Sequence, residues 1–142
     1  MKKSIIFLLG ILLALSSYSQ ETTGTTEELS VDENYVLLHI YRKNSLAGSA
    51  IKYNVHLDDT IICRAGNKWK ETIKIEKEGL FTLWAKTETK TELSVEIEFG
   101  KEYYIRCGVK IGVVAGRPKI ELVDNETGKN EFESIQMKSK KK

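Results

Sequence analysis

Several residue types that build catalytic and metal sites are scarce in this chain. Its 142 residues include two cysteines, two histidines and one proline. The cysteines form no CxxC pair and the histidines are far apart in sequence, so the ligand spacing of a zinc site is missing and we predict neither a metal nor a cofactor. No serine lies in the Gly-x-Ser-x-Gly pattern of hydrolases. We therefore predict no catalytic residue and a protein that is not an enzyme.

The chain also has no large excess of charge of one sign. Two of its 22 basic residues, Lys2 and Lys3, lie in a segment that we expect to be removed, which leaves 20 basic against 20 acidic residues. A balanced chain has no electrostatic reason to bind nucleic acid or an anionic membrane. We predict neither as a partner.

No apolar run is long enough to cross a bilayer as a helix. The longest, from Ile5 to Leu15, has 11 residues, whereas a spanning helix needs about 20. Two lysines precede it and small polar residues follow it, which is typical of a secretory signal peptide over residues 1–19, cleaved before Gln20. No cysteine that could carry a lipid follows the run. We predict an exported protein without a membrane anchor, soluble in the periplasm or outside the cell.

Two more terminal segments are predicted to lie outside the folded domain. Residues 20–34 are rich in Thr and Glu and form a flexible leader in this interpretation, because they hold too few apolar side chains to offset the entropy of ordering. Residues 125–142 are predicted to be a C-terminal tail, mostly flexible and rich in lysine. Within it, residues 131–137 fit either one helical turn or a frayed end.

Residues 35–124 are predicted to form the folded domain. Apolar residues recur at period two in eight short segments separated by turns such as Asp58-Asp59 and Gly66-Asn67. The turns are too short for crossover helices, so we predict an all-β fold: a single antiparallel β-sandwich of about eight strands. The predicted core consists of Val36, Leu38, Ile40, Val55, Leu57, Trp84, Leu93, Val95, Ile97, Ile105 and Ile120.

Cys63 and Cys107 each fall within a predicted strand. In an oxidising compartment they could form a disulfide, and closing about 44 residues would stabilise the fold by about 4 kcal/mol in the chain-entropy relation. Two buried free thiols are the alternative. Both stay open, because the sequence does not place the two Cα atoms within reach of each other.

Arg117 stands between a glycine-rich segment and the only proline. The glycines at 108, 112 and 116 suit a bend or bulge in a strand. Two interpretations of Arg117 remain: a structural ion pair with a carboxylate of the sheet, or a contact to a partner. We favour the ion pair.

Three further groups are candidates for chemistry or binding. His39 and His56 would make a small hydrolase or metal-dependent enzyme if they met Asp58 or Asp59, although half-buried histidines and turn-forming aspartates are the interpretation that we favour. Asp59-Thr60-Ile61 resembles the sequon at which some Bacteroidetes-type bacteria O-glycosylate exported proteins, with Thr60 as the acceptor. A third group is aromatic and could stack on a glycan or a peptide: Trp69, Trp84, Tyr103 and Tyr104.

A family resemblance rests on motifs that occur in order through the predicted domain. They are Tyr41-Arg42, Gly48-Ser49-Ala50-Ile51, Asn54-Val55, Gly100-Lys101-Glu102-Tyr103-Tyr104-Ile105-Arg106, Gly108-Val109-Lys110-Ile111-Gly112, Gly116-Arg117-Pro118 and Glu121-Leu122-Val123-Asp124. Over residues 35–124 the chain resembles the bacterial family catalogued as domain of unknown function 2846. The resemblance implies an exported β-sandwich of transthyretin-like or PEGA-like character and transfers no catalytic residue. Two departures are the missing lipidation cysteine and Lys77-Glu78-Gly79, where the family has Pro-Pro-Gly.

Three function classes follow. The first is a non-enzymatic exported module that binds an envelope protein or a glycan. The second is a structural protein that self-associates or joins an assembly through a strand edge. The third is the small hydrolase or metal-dependent enzyme, which requires the two histidines to converge with an aspartate.

Overall fold

A computed structural model of the chain describes residues 34–112 and 115–137. The predicted signal peptide, all but the last residue of the predicted leader, and the final five residues of the predicted tail lie outside these ranges. Within them the chain forms eight strands and one helix: β1 (Val36–Arg42), β2 (Tyr53–Leu57), β3 (Thr60–Ala65), β4 (Trp69–Ile75), β5 (Gly79–Lys86), β6 (Lys90–Ile97), β7 (Glu102–Ile111), β8 (Gly116–Val123) and α1 (Asn125–Ser134). No helix of this part of the chain is long and apolar enough to cross a membrane.

The strands form two four-stranded sheets. Sheet A has the order β4-β1-β7-β8 and sheet B the order β3-β2-β5-β6. The prediction of an all-β sandwich is confirmed. One pair departs from the antiparallel pattern, because β1 and β7 run parallel in the middle of sheet A. The chain between these two strands passes through β4 and all of sheet B, so the parallel pair is made without a crossover helix.

The core lies between the two sheets, where alternate residues of each strand meet. Val36, Leu38 and Ile40 of β1 are buried in one cluster with Val55 of β2 and Leu83 of β5. Every residue of the predicted core except one is buried in it or packed against it. The exception is Trp84: its neighbours in β5, Leu83 and Ala85, point inward, so the period of two directs Trp84 to the outer face of sheet B.

The segment before β2 forms a turn where the alternation of apolar residues predicts the start of a strand. Alternating apolar residues run from Ile51 through Tyr53 and Val55 to Leu57, which predicts a strand that includes Ile51, whereas β2 begins at Tyr53. Ile51 N–H instead donates to Gly48 O (3.0 Å), which closes a turn. Gly48 has φ +69° and packs so closely on Val109 that a Cβ there would lie 2.8 Å from its side chain. Glycine is required on both counts.

Helix α1 extends the folded domain beyond the boundary that we placed at Asp124. Asp124 caps the helix by accepting a hydrogen bond from Thr127 N–H (2.9 Å). The helix lies on the outer face of sheet A, with Ile135 buried and Phe132 in contact with its aromatic residues. Residues 125–135 are therefore folded, which corrects the prediction of a mostly flexible tail from residue 125. The sequence prediction missed the cap and gave Phe132 and Ile135 no surface to cover.

Candidate functional site

The two cysteines lie in facing sheets as free, buried thiols. Cys63 is on β3 and Cys107 on β7, and each contributes to the core between the sheets. Burial raises the pKa of the Cys63 thiol above its usual range and that of Cys107 to about 12. Of the two alternatives, the structure has the free thiols and not the disulfide. Protonated, inaccessible thiols are poor nucleophiles.

Thr60 lies at an exposed hairpin. The β2–β3 turn places Asp58 at φ +49° and leaves Asp59, Thr60 and Ile61 exposed to solvent. Trp84 Nε1–H donates to Asp58 O (2.7 Å), which fixes the turn against β5. The hydroxyl is accessible to a modifying enzyme, and O-glycosylation of Thr60 stays a prediction.

The two histidines lie on opposite outer faces of the sandwich. His39 follows the inward-facing Leu38 on β1 of sheet A, and His56 follows the inward-facing Val55 on β2 of sheet B. The ring of His56 stacks on Trp84, with centroids 3.7 Å apart. Because a two-sheet core separates the histidines, they do not converge with Asp58 or Asp59 into one site.

His39 is held between side chains of two neighbouring strands. Its Nδ1 bonds with the Thr72 hydroxyl (2.8 Å) and its Nε2 with the Glu102 carboxylate (3.2 Å). This order resembles the hydroxyl, imidazole and carboxylate of a hydrolase triad. However, the ring stacks on Tyr104 (4.6 Å) and meets the edge of Phe132 (5.1 Å), so aromatic rings cover it.

An ion-pair chain runs across the outer face of sheet A beside helix α1. Arg106 bonds Glu131 of the helix (3.1 Å) and Glu121 of β8 (3.1 Å). Lys43 reaches Glu131 (2.9 Å) and Lys119 reaches Glu121 (2.7 Å). The Tyr41 hydroxyl also donates to Glu131 (2.7 Å). Burial disfavours the ionised form of Glu131, but these hydrogen bonds outweigh it and lower the pKa to about 2.

Arg117 does not take part in that chain. Its side chain is exposed, and no carboxylate of the described residues forms an ion pair with it. The structural ion pair that we favoured is therefore wrong for Arg117, and Arg106 has that role instead. Both arginines point to the outer face of sheet A, but only Arg106 lies where helix α1 brings a carboxylate over the sheet.

Arg42 is a structural residue at this end of the molecule whose role our predictions missed. It is 1% exposed, and its guanidinium donates to Ile51 O (2.5 Å) and Gly48 O (2.6 Å). Its partners are carbonyl groups, so it fastens the β1–β2 loop to the end of β1. The signal was its place at the end of an otherwise apolar strand, where a charged side chain must find buried partners.

The parallel pair brings the loop after β1 and the end of β7 together at one end of the sandwich. Since β1 and β7 run in the same direction, the loop after Arg42 lies beside Ile111 and Gly112. Between them is an apolar groove of about 390 Å³, which we call the loop-end groove. Its lining residues are Leu46, Gly48, Ser49, Ala50, Ile51, Ile111, Gly112, Ala115 and Gly116.

The loop-end groove has exposed apolar walls and a polar rim. Leu46 is 94% exposed and Ile111 is 64% exposed, the first and third largest exposures among the large apolar side chains described. Lys110 and Arg117 lie beside Ile111 and Gly112. No three His, Cys, Asp or Glu side chains of the described residues gather closely enough to hold a metal ion. What this end of the molecule offers is apolar contact area with positive charge next to it.

Comparisons with known proteins add a distant relative. No family model matches the chain. No solved structure matches it either. An uncharacterized protein of Haemophilus influenzae is 27% identical over 139 residues, which cover 92% of this chain and 81% of that protein. Its name assigns no activity, so the surface of this domain is the basis for a functional proposal.

Proposed function

We propose that the domain is a non-enzymatic binding module of the cell envelope that holds a protein partner at the loop-end groove. The observation that carries the proposal is the exposure of Leu46 and Ile111 on the two sides of that groove. Grouped aliphatic side chains in contact with water favour a partner that covers them.

The wall of the groove that the β1–β2 loop forms is held in shape before any partner arrives. The Arg42 guanidinium fixes the carbonyls of Gly48 and Ile51, and Gly48 packs on Val109. A loop anchored at two carbonyls loses little conformational entropy on binding, so more of the contact energy remains as affinity. The fixed conformation of the β1–β2 loop supports its role as part of a binding surface.

The rim favours a partner with acidic groups near an apolar side chain. Lys110 and Arg117 are exposed beside the groove. An apolar centre with a polar rim is the usual arrangement of a protein interface. Positive charge at the rim speeds encounter with an acidic partner more than it adds affinity.

A glycan has less support as the ligand, because other residues of the domain already cover the aromatic side chains that could stack on it. Trp84 is covered by His56 on one side and approached by Lys90 Nζ at 4.7 Å. Tyr104 is buried under helix α1, while Trp69 and Tyr103 pack against the core. Free ring faces for stacking on a sugar are what such a platform requires.

The strand-edge alternative also has less support at β8, the edge nearest the groove. Pro118 has no N–H to donate, and the carbonyls of Gly116 and Pro118 accept hydrogen bonds from Thr87 and Thr91 (2.8 Å each). Edges protected in this way add a further strand poorly. Export and an envelope location rest on the apolar segment Ile5 to Leu15 and on the family resemblance, and both are part of the proposal.

Site-specific photocrosslinking tests the proposal. A photoreactive amino acid replaces Leu46 in the full chain expressed in its native cell, and in a matched control it replaces Leu80, which is 74% exposed on sheet B. We expect a discrete protein adduct from position 46 and none from position 80. Ile111→Asp should abolish that adduct, because a carboxylate would be placed in the apolar wall.

The adduct is then identified, and the purified protein is titrated against the full chain. Saturable binding that Ile111→Asp weakens about tenfold or more supports the proposal. An adduct with only a second copy of this chain supports self-association instead. An adduct with lipid, or equal labelling from positions 46 and 80, overturns the assignment of the groove to a protein partner.

A further inference from the structure

Five ionic groups that connect the start of the β1–β2 loop, helix α1 and strands β7 and β8 alternate in sign. From helix α1 outward, Lys43, Glu131, Arg106, Glu121 and Lys119 form a continuous chain in which each cation touches a carboxylate. The next outward-facing row toward the loop end contains Lys110 of β7 directly opposite Arg117 of β8. Two cations stand there in place of a cation and an anion.

This row, which we call the cation pair, is unfavourable for the isolated domain. Like charges directly opposite each other on antiparallel strands are destabilising. Neither Lys110 nor Arg117 forms an ion pair with a carboxylate of residues 34–112 or 115–137. The repulsion therefore lacks a compensating contact within the described structure.

A second cross-strand pair of cations has the carboxylate contact that the first pair lacks. On sheet B, Lys86 lies opposite Lys90. Lys90, however, contacts the Glu92 carboxylate and approaches the Trp84 ring at 4.7 Å. In both pairs the two cations lie directly opposite each other on antiparallel strands. Only the pair on sheet B has a cation in contact with a carboxylate of the described residues.

The space around the cation pair suits a small anionic group. A cleft of about 360 Å³ is lined by Lys110 and Arg117, by Thr89 and Thr91, and by the ion-paired Lys119 and Glu121. Arg117 also borders the loop-end groove, since its Nε would lie 3.7 Å from a Cβ placed on Gly112. One ligand could thus fill the groove with an apolar side chain and reach the cation pair with an oxyanion.

We propose that Lys110 and Arg117 form a carboxylate subsite that binds an acidic group of the partner polypeptide. The subsite rests on the proposed function, because it assumes that the partner's apolar residue occupies the adjacent groove. In the bound state the carboxylate lies between the two cations and restores the alternation of charge. Arg117 is then a binding residue, which is the second interpretation of this position.

Two measurements on the full chain test the subsite without the partner. Acetate, as the carboxylate probe, is titrated while backbone amide NMR shifts are followed, with inorganic phosphate as a second arm. We expect a saturable acetate shift at Lys110, Arg117 and Thr89 that disappears in Arg117→Gln. The matched control Lys86→Glu should leave it unchanged. Phosphate shifting these amides while acetate does not would overturn the assignment to a carboxylate.

Unfolding by urea gives an independent readout. Arg117→Glu places a carboxylate opposite Lys110, so the unfolding midpoint should rise while the acetate shift is lost. Gain of stability together with loss of binding is the result that a structural arginine would not produce. A lowered midpoint would mean that Arg117 has a structural partner, and would overturn the proposal.

The outcomes separate the subsite from the groove. If acetate binds as expected but position 46 gives no protein adduct, the proposed function fails and the anion subsite stands. If the adduct forms equally well in Arg117→Glu and in wild type, the groove stands and the subsite fails.

Discussion

The two outer faces of the sandwich have the same alternation in sequence and opposite surroundings in the structure. On sheet A, His39 is enclosed by Tyr104 and Phe132 because helix α1 lies over it. On sheet B, where His56 stacks on Trp84, Leu80 remains 74% exposed and no helix of the described residues covers the face. Period two identifies which residues point outward. Whether an outward residue is buried depends on a segment elsewhere in the chain.

The largest expected effect on stability comes from displacing helix α1 from the outer face of sheet A. Gly128 of α1 packs against the Tyr104 side chain so closely that an added Cβ would overlap it. Gly128→Ala should push the helix off sheet A and lower the free energy of unfolding by about 2 to 3 kcal/mol, as overpacking does. Urea unfolding measures it. Lys129→Ala, an exposed change in the same helix, is the control, and an equal loss there would show that the contact with Tyr104 is unimportant.

A smaller effect tests the charge that joins the helix to sheet A. The folded-state pKa of Glu131 is about 2, below its ordinary value of 4.5, so its contribution is present above pH 4.5 and is lost as pH falls toward 2. Glu131→Gln should remove about 1 to 2 kcal/mol at pH 7 and flatten the stability curve between these values. Glu121 and Asp124, whose pKa values are also lowered, should leave a residual slope.

Stability against pH, followed by urea unfolding, checks that expectation. Glu92→Gln, on the outer face of sheet B, is the matched variant and should keep the wild-type curve. If the two variants lose equal stability at pH 7, the ion pairs of Glu131 do not contribute more than an ordinary surface ion pair.

The smallest expected effect on stability comes from a change on the outer face of sheet B, which no helix of the described residues covers. Trp84→Leu removes the stack on His56 and the hydrogen bond to Asp58 O, both at a half-exposed position. We expect a loss of about 0.5 to 1 kcal/mol, within the usual range for an aromatic pair. Thermal unfolding is the measurement. A loss as large as that of Gly128→Ala would remove the contrast between the two faces.

Much of the sandwich could be predicted from the sequence because sheets obey a local rule. Alternation alone places Val36, Val55 and Val95 in the core, since a strand residue can face only inward or outward. The core prediction failed at Trp84, because it relied on the size and apolar character of the side chain, whereas the position between Leu83 and Ala85 decided its direction. The rule is stronger than hydrophobicity at a single position.

The candidate site could be predicted less well, because it depends on contacts between distant segments. Arg42, Arg106 and Arg117 look alike in sequence, yet one is buried against loop carbonyls, one is bonded to Glu131 and one is exposed. Their surroundings come from the parallel pairing of β1 with β7 and from the docking of α1. Neither is encoded within a few residues of the arginine concerned.

The pairing of β1 with β7 also sets the order in which the domain can be completed during synthesis. Leu37 lies opposite Glu102, so a chain that emerges from its N-terminus holds the first strand without a neighbour on that side for some 60 residues. Until β7 appears, this edge of β1 is available to misassembly or to a chaperone. Folding should therefore be slow and late.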